Sequence, residues 1–260
     1  MTGNTIQIKG TPEIPDGFRH LYLSALAESQ ESFVERLVRT GRSVVLWDKE
    51  RMIGYATIHA ETLVEFFVID IETSLLLEAF DIVVRTCRVT KSLCKSFDRL
   101  MLTAASSKPA HTKTVGRLFR AVRDVEFIPR DDITARRATE DDLDAVESFH
   151  DSFFDSRAEI QGYIQPGNMF IYELDKSQAV GCGIFQRILP GRDFVDVRMV
   201  VASAHRRQGI GTHIASHLKA HCLREGYRPV CGCGAENTAS LRSLERAGFL
   251  CTDSLIEFTY

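Results

Sequence analysis

The first ten residues, MTGNTIQIKG, lack the basic start and the apolar run of a secretion signal. The most apolar stretch, LVEFFVIDIETSLLL, is broken by Glu65, Asp70 and Glu72, which excludes it as a membrane span. Charge of one sign is also missing: 32 basic and 35 acidic residues leave a net charge of −3, so bulk electrostatics draw in neither nucleic acid nor an anionic membrane. Cysteines number seven, an odd count that fits free thiols in a reducing compartment better than a disulfide framework. No low-complexity segment or long linker appears. The expectation is a soluble cytoplasmic protein without a nucleic-acid or membrane partner.

The apolar fraction of 44% and charged fraction of 26% are those of a globular protein, and 260 residues suffice for one large domain or two ordinary ones. Alternation and turn signals make the second half readable. ITARRA is a strand, and Thr139 with Asp142 caps the helix after it. NMFIYELDKSQAVGCGIFQRI is a strand, a turn at Asp175, Lys176 and Ser177, and a second strand; FVDVRMVV is a third. Ile210, Ile214, Leu218 and Cys222 recur every four residues, the apolar stripe of a helix that Gly226 ends. RPVCGCG is a buried-type strand, TASLRSLERAGF a helix closing at Gly248, and SLIEFTY a last strand.

The first half repeats this order more faintly. TIQIK is a strand, FRHLYLSALAESQESFVERLVRTG helical, and SVVLWDKERMIGYATIHAETLVEFFVID gives three strands, with Trp47 in the core. LLLEAFDIVVRTCRV reads as a helix, RLMLTAA as a strand and TKTVGRLFRAV as a helix. The pattern predicts two tandem α/β (α+β) domains, residues 1–130 and 131–260, with the boundary at IPRDD; chance recurrence of a common pattern is the alternative.

The distinctive stretch is VASAHRRQGIGTHIASHL, with Arg206, Arg207, Gly209 and Gly211 between a strand and an amphipathic helix. The first amides of a helix have no internal partner and carry the positive end of its dipole, which suits a phosphate. Glycines let the backbone close on phosphate oxygens. Neither common nucleotide signature is present, since no Lys-Ser/Thr follows the glycines and the third glycine of the dinucleotide type is missing.

The run MVVASAHRRQGIGTHIASHLKAHCLREGY, followed by ENTASLRSLERAGF, resembles the GNAT superfamily of N-acyltransferases, whose acyl-CoA loop reads Arg/Gln-x-x-Gly-x-Gly/Ala. The resemblance is strong over Phe170 to Phe249, fair back to Ile133 and only topological in the first half. It implies in each half a mixed, mostly antiparallel sheet flanked by helices, with acetyl-CoA as cosubstrate and no metal. It also implies that the main chain of Met199, Val200 and Val201 pairs with the pantetheine arm. Amides from Arg206, Arg207, Gln208, Gly209, Ile210, Gly211 and Thr212 would hold the pyrophosphate. Asn237, with Ser240 on the same helix face, would meet the cofactor, and the thioester would lie where FVDVRMVV and PVCGC splay apart. The acceptor would be a small-molecule amine or a protein amino group, toward which the net charge leans if the acceptor is cationic, and the protein a monomer or homodimer.

The family's proton-donating tyrosine, seven residues past the asparagine, falls on Leu244, which cannot donate. A thiol leaving group with a pKa of about 8.5 tolerates that loss. The base is open: Asp196 is the acid of FVDVRMVV, but alternation pairs it with Arg198 on the face opposite Val195, Val197 and Met199. Ser243 and Glu236 are weaker candidates. Where the first half should carry a loop it reads VIDIETSLLLEAF, with two acids and no glycine, so that copy is expected to be degenerate, a wall of the substrate cleft or a structural element. A non-catalytic acyl-CoA sensor and a structural protein with a vestigial loop are the rival readings. His213, His217 and His221 have helical spacing for zinc, but Cys231 and Cys233 lie too close together for a zinc knuckle and read as core side chains. Phe149, Phe153, Phe154 and Tyr163 fall where the family places a substrate-facing segment, either as a lid or as an ordinary apolar contact.

Overall fold

The computed structural model describes residues 6–69, 73–108, 111–149 and 153–260. The first half forms β1 (Ile6–Thr11), α1 (Asp16–Ala25), α2 (Ser32–Thr40), β2 (Arg42–Asp48), β3 (Arg51–His59), β4 (Thr62–Val68), α3 (Thr73–Thr86), β5 (Lys91–Lys95), α4 (Arg99–Ser106) and β6 (His111–Val122). The second half follows with β7 (Ile133–Arg137), a 3-10 turn at Glu140–Asp142, α5 (Leu143–Phe149), α6 (Arg157–Ile164), β8 (Met169–Leu174), β9 (Gln178–Arg187) and β10 (Phe194–Val201). After a second 3-10 turn at Ser203–His205 come α7 (Ile210–Arg224), β11 (Arg228–Gly234), α8 (Thr238–Arg246) and β12 (Phe249–Thr259). The helices and strands of the two halves match one for one.

Three elements differ from the sequence pattern. RLMLTAA is helix α4, not a strand: Asp98 accepts from the Met101 amide and caps it, and Met101, Ala104 and Ala105 are buried at helical spacing. TKTVGRLFRAV is strand β6, not a helix. Its Val115, Leu118, Phe119 and Val122 imitate a helical stripe, but pairing within a sheet overrides so short a pattern. The long helix expected from Phe18 to Gly41 is two, because Leu26 leaves α1 in an extended conformation and Glu31 enters α2 from one.

Two compact units result. One comprises Met1–Arg117 with Asp253–Tyr260, the other Leu118–Thr252. In the first, the strand order is β1-β2-β3-β4-β5-β12, and Leu255 to Thr259 of β12 run antiparallel to Lys95 to Lys91 of β5. Phe258 is buried there with Leu46, Phe66 and Phe80. In the second, the order is β6-β11-β10-β9-β8-β7, and Phe119 of β6 joins the core of Val195, Val197, Ile214 and Leu218. A further core lies on the opposite face, where α5 and α6 bury Val146 and Ile160 against Ile171, Ile184 and Val200. Cutting Ile214 or Leu218 to alanine would cost about 2–5 kcal/mol.

The β4–β5 pairing of the first unit is parallel and joins Thr62 to Lys91 and Leu63 to Ser92. Two residues past Leu63, the buried Glu65 accepts from Arg19, Gln30 and Tyr55. The fully buried Lys95 donates to the Tyr22 hydroxyl at 2.5 Å and to Gln30 Oε1 at 2.8 Å. Its charge faces Asp98 at 3.7 Å, which in turn accepts from Tyr22. The network satisfies its charges internally, as burial of ions demands. Of the loop predicted to lack glycine, Asp70 to Glu72 lie outside the described residues.

Candidate active site

In the second unit β10 runs beside β9 from Val195–Arg187 to Val201–Gly181. Its parallel pairing with β11 ends early, at Asp196–Val230. From Val197 onward one edge of β10 therefore faces a gap, the splay expected between FVDVRMVV and PVCGC. The Ala202 amide donates to the Val180 carbonyl at 2.9 Å, so Ala202 faces β9. By alternation the main chains of Met199 and Val201 face the gap, while that of Val200 turns to β9. Val200 packs its side chain into the α5–α6 core.

Beyond β10 the chain turns through Ser203–His205 and reaches Gly209, the N-cap of α7, at φ +79°. Glycine occupies this left-handed conformation without the Cβ penalty that other residues meet. No side chain caps α7, in contrast to α4, α6 and α8. Its first amides and dipole are thus left for an external anion. Arg206 bends back and donates from Nε to the Val201 carbonyl at 3.2 Å. Arg207, Gln208 and Gly209 are exposed at the loop.

Arg130, which the sequence reading passed over as part of a boundary, supports this loop. Its Nη1 donates to the Gln208 carbonyl at 2.8 Å, and Asp132 holds its other edge at 2.9 and 2.6 Å. The signal was present in the charged run RDD beside a proline, but nothing local ties that run to a loop almost eighty residues on. Gly211 packs close to α8 and β10: a Cβ there would stand 3.2 Å from Ser243 Oγ and 3.5 Å from Met199 Sδ. Ser243 Oγ and Met199 Sδ thus both border Gly211. Asn237 caps α8, its Oδ1 accepting from the Ser240 amide at 3.0 Å. Leu244 is buried in the α7 core. Glu236 is exposed.

Val195 and Val197 face that same core, and Asp196 and Arg198 take the opposite side, toward α6. Asp196 is buried, with Oδ2 3.8 Å from Arg198 Nε, an ion pair outside hydrogen-bond range. Arg198 Nη2 donates to the Tyr163 hydroxyl at 2.7 Å and to Gln186 Oε1 at 3.3 Å, and the guanidinium lies over the Tyr163 ring. The Tyr163 hydroxyl in turn donates a hydrogen bond to Glu159 at 3.0 Å. Burial opposes the charge of Arg198, but Asp196 and Tyr163 outweigh it, so its pKa is raised and the group stays a cation. Burial also raises the Tyr163 pKa, against the pull of Arg198. Of the aromatic group, Phe149, Phe154 and Tyr163 are buried with α5 and α6, and Phe153 is exposed.

The histidines of α7 line a separate aromatic cluster. His217 Nδ1 is 2.7 Å from the Tyr172 hydroxyl, and its ring packs on Phe127 and Phe170. His221 packs on Phe170 and Phe185, under the guanidinium of Arg137. Burial, with His221 and His213 adding to it, lowers the His217 pKa to about 4. No helix among the described residues is long and apolar enough to cross a membrane.

Comparison with known proteins agrees with this geometry. Residues 135–249 match the model of the Acetyltransferase (GNAT) family, and residues 13–122 match that of an Acetyltransferase (GNAT) domain. No curated protein matches the chain. Among solved structures, an acetyltransferase of the GNAT family from Colwellia psychrerythraea superposes with a TM-score of 0.87 at 15% identity, covering 98% of this chain and 99% of that one. A tandem GNAT protein from the clavulanic acid biosynthesis pathway gives 0.62 at 13% identity, with 98% of each chain covered. These likenesses show the fold, and the family models carry the assignment. The chain belongs to the GNAT acetyltransferase family, with two GNAT domains in tandem.

Proposed function

We propose that the second unit transfers an acetyl group from acetyl-CoA to a primary amine. The observation that carries this reading is the uncapped N-terminus of α7, with Gly209 and Gly211, beside the unpaired edge of β10. The loop from Arg206 to Thr212 would hold the pyrophosphate through its amides, and the main chains of Met199 and Val201 would align the pantetheine arm as a strand partner. The Val201 carbonyl would exchange its bond to Arg206 for one to the arm. Asn237, already committed to its cap, has its amide nitrogen left for the cofactor, with Ser240 beside it.

In the reaction the amine nitrogen bonds to the thioester carbonyl carbon and the C–S bond breaks. The sulfur leaves with the electron pair, and the proton lost by nitrogen makes up the thiol. The Met199 amide would polarise the carbonyl. Leu244 supplies no acid; Ser243, whose hydroxyl borders Gly211, is the candidate to take that part. Asp196 is the candidate base, reaching the amine directly or through water.

Titration of acetyl-CoA into the protein by calorimetry tests the reading, beside a variant carrying Gly209→Glu and Gly211→Glu. Micromolar binding that the variant loses supports it, and no binding by the intact protein overturns it. The buried Leu244 favours a second reading, a non-catalytic acyl-CoA sensor; binding without transfer to any amine of a broad panel selects that one. A cytoplasmic monomer or homodimer is the setting we propose.

A further inference from the structure

We infer that the amine acceptor also carries a carboxylate, and that Arg198 reads it; this rests on the acyl-transfer reading. Arg198 stands two residues beyond the last β10–β11 pair and one before Met199. Neighbouring residues of a strand are about 3.3 Å apart. A carboxylate held by Arg198 therefore leaves an amine a few bonds away within reach of a carbonyl aligned at Met199.

The guanidinium is incompletely satisfied. Its Nε is shut off from water without a hydrogen-bond partner, and the nearest carboxylate oxygen recorded for it, on Asp196, is 3.8 Å away. Its Nη2 bonds only neutral acceptors, Tyr163 and Gln186. The guanidinium thus keeps an unused donor with Asp196 out of hydrogen-bond range, and a planar carboxylate is the anion that matches its fork. The side chain as a whole keeps 23% of its surface exposed.

The first unit provides an internal control. Glu65 stands at the matching place, two residues beyond the last β4–β5 pair, and there the fold surrounds the charge completely with Arg19, Gln30 and Tyr55. The architecture can thus close this position with its own side chains. In the second unit it does not, and the missing partner is assigned to the ligand.

The facing strand leaves room. The parallel register puts Val230 on the side of Asp196, so Gly232 and Gly234 follow on that side of β11. Gly232 is exposed, and a Cβ at Gly234 would meet nothing within 4 Å. Asp196 and Glu159 supply negative charge near Arg198, suited to the ammonium of the same molecule. An aminocarboxylate matches both signs.

The test uses pairs of compounds that differ by the carboxylate alone, such as β-alanine and ethylamine, phenylalanine and phenethylamine, or lysine and cadaverine. Each is titrated into the CoA-loaded protein, so binding is read without turnover. At least one acid should bind about tenfold or more tighter than its decarboxylated twin. Arg198→Gln should bring that ratio close to one, and Arg198→Lys should restore part of it. Acetyl-CoA titration of both variants reports that they are folded. Equal or weaker binding of every acid relative to its twin, or a ratio that survives Arg198→Gln, overturns the inference, as does a panel in which no acid binds. Failure of the acyl-transfer reading is seen separately, as absence of acetyl-CoA binding by the intact protein.

Discussion

Arg130 and Gln208 are joined by a 2.8 Å hydrogen bond from a guanidinium Nη1 to a main-chain carbonyl, and Asp132 fixes the guanidinium from its other edge. The bond holds in place the Gln208 carbonyl, immediately before Gly209 and the first turn of α7. Arg130→Gln should free the loop, so that binding must first order it. Acetyl-CoA affinity is expected to fall about tenfold by calorimetry, with little change in melting temperature.

Gly211 and Gly209 serve different ends and should fail differently. A valine at 211 would carry its methyls into the space beside Ser243 Oγ and Met199 Sδ. Gly211→Val should abolish detectable acetyl-CoA binding. Gly209→Ala strains a φ of +79°, at about 1 kcal/mol, while its Cβ would make only an ordinary 3.9 Å contact with Arg130 Nη1, and should chiefly lower thermal stability. Equal losses of binding in the two variants would contradict this division.

The His217 ring stays neutral because burial drives its pKa to about 4, well below the unfolded value of 6.5. The neutral ring's contribution is complete above pH 6.5 and is lost as pH falls from there toward 4. Allowing for partial exposure, on the order of 2 kcal/mol should disappear across that window. Urea unfolding between pH 7 and 4 should show the loss, and His217→Phe should flatten it.

Lys95 and Glu65 test the first unit. Lys95→Met leaves Asp98 and Gln30 without their cation, and breaking a buried pair costs about 3–5 kcal/mol. Trp47 is the single tryptophan of the chain and lies on β2, so its fluorescence reports this unit. The urea midpoint it reads should fall sharply, and Glu65→Gln should act in the same direction.

One acetyl-CoA per chain is the stoichiometry expected. The space beyond the last β4–β5 pair is taken by Glu65, Gln30, Lys95 and their partners, leaving nothing for a pantetheine arm to displace cheaply. A calorimetric stoichiometry near two would contradict this.

Legibility in the sequence followed the range of the forces involved. The stripe Ile210, Ile214, Leu218 and Cys222, all buried, and the capping box of Thr139 and Asp142 were readable because their causes lie within a few residues. The loop was readable because glycine positions record backbone conformation directly. The exchanged identities of α4 and β6 were not, since eight to twelve residues with mixed spacing take their state from the sheet they join. Arg130 and the surroundings of Arg198 depend on segments distant in the chain, and no local pattern announces them. Alternation did place Asp196 and Arg198 on one face; it could not say that the pair stops short of a hydrogen bond.

The closing strand has a consequence for biosynthesis. Residues Asp253–Tyr260 belong to the unit that begins at the other end of the chain, and β5 receives its antiparallel neighbour only from them. During translation the first unit must therefore wait, with the edge of Lys91–Lys95 open and the place of Phe258 in its core unfilled, until Asp253–Tyr260 have been synthesised. Expression of the first half alone, or loss of residues 253–260, leaves that edge bare, and an open strand edge invites pairing with other chains.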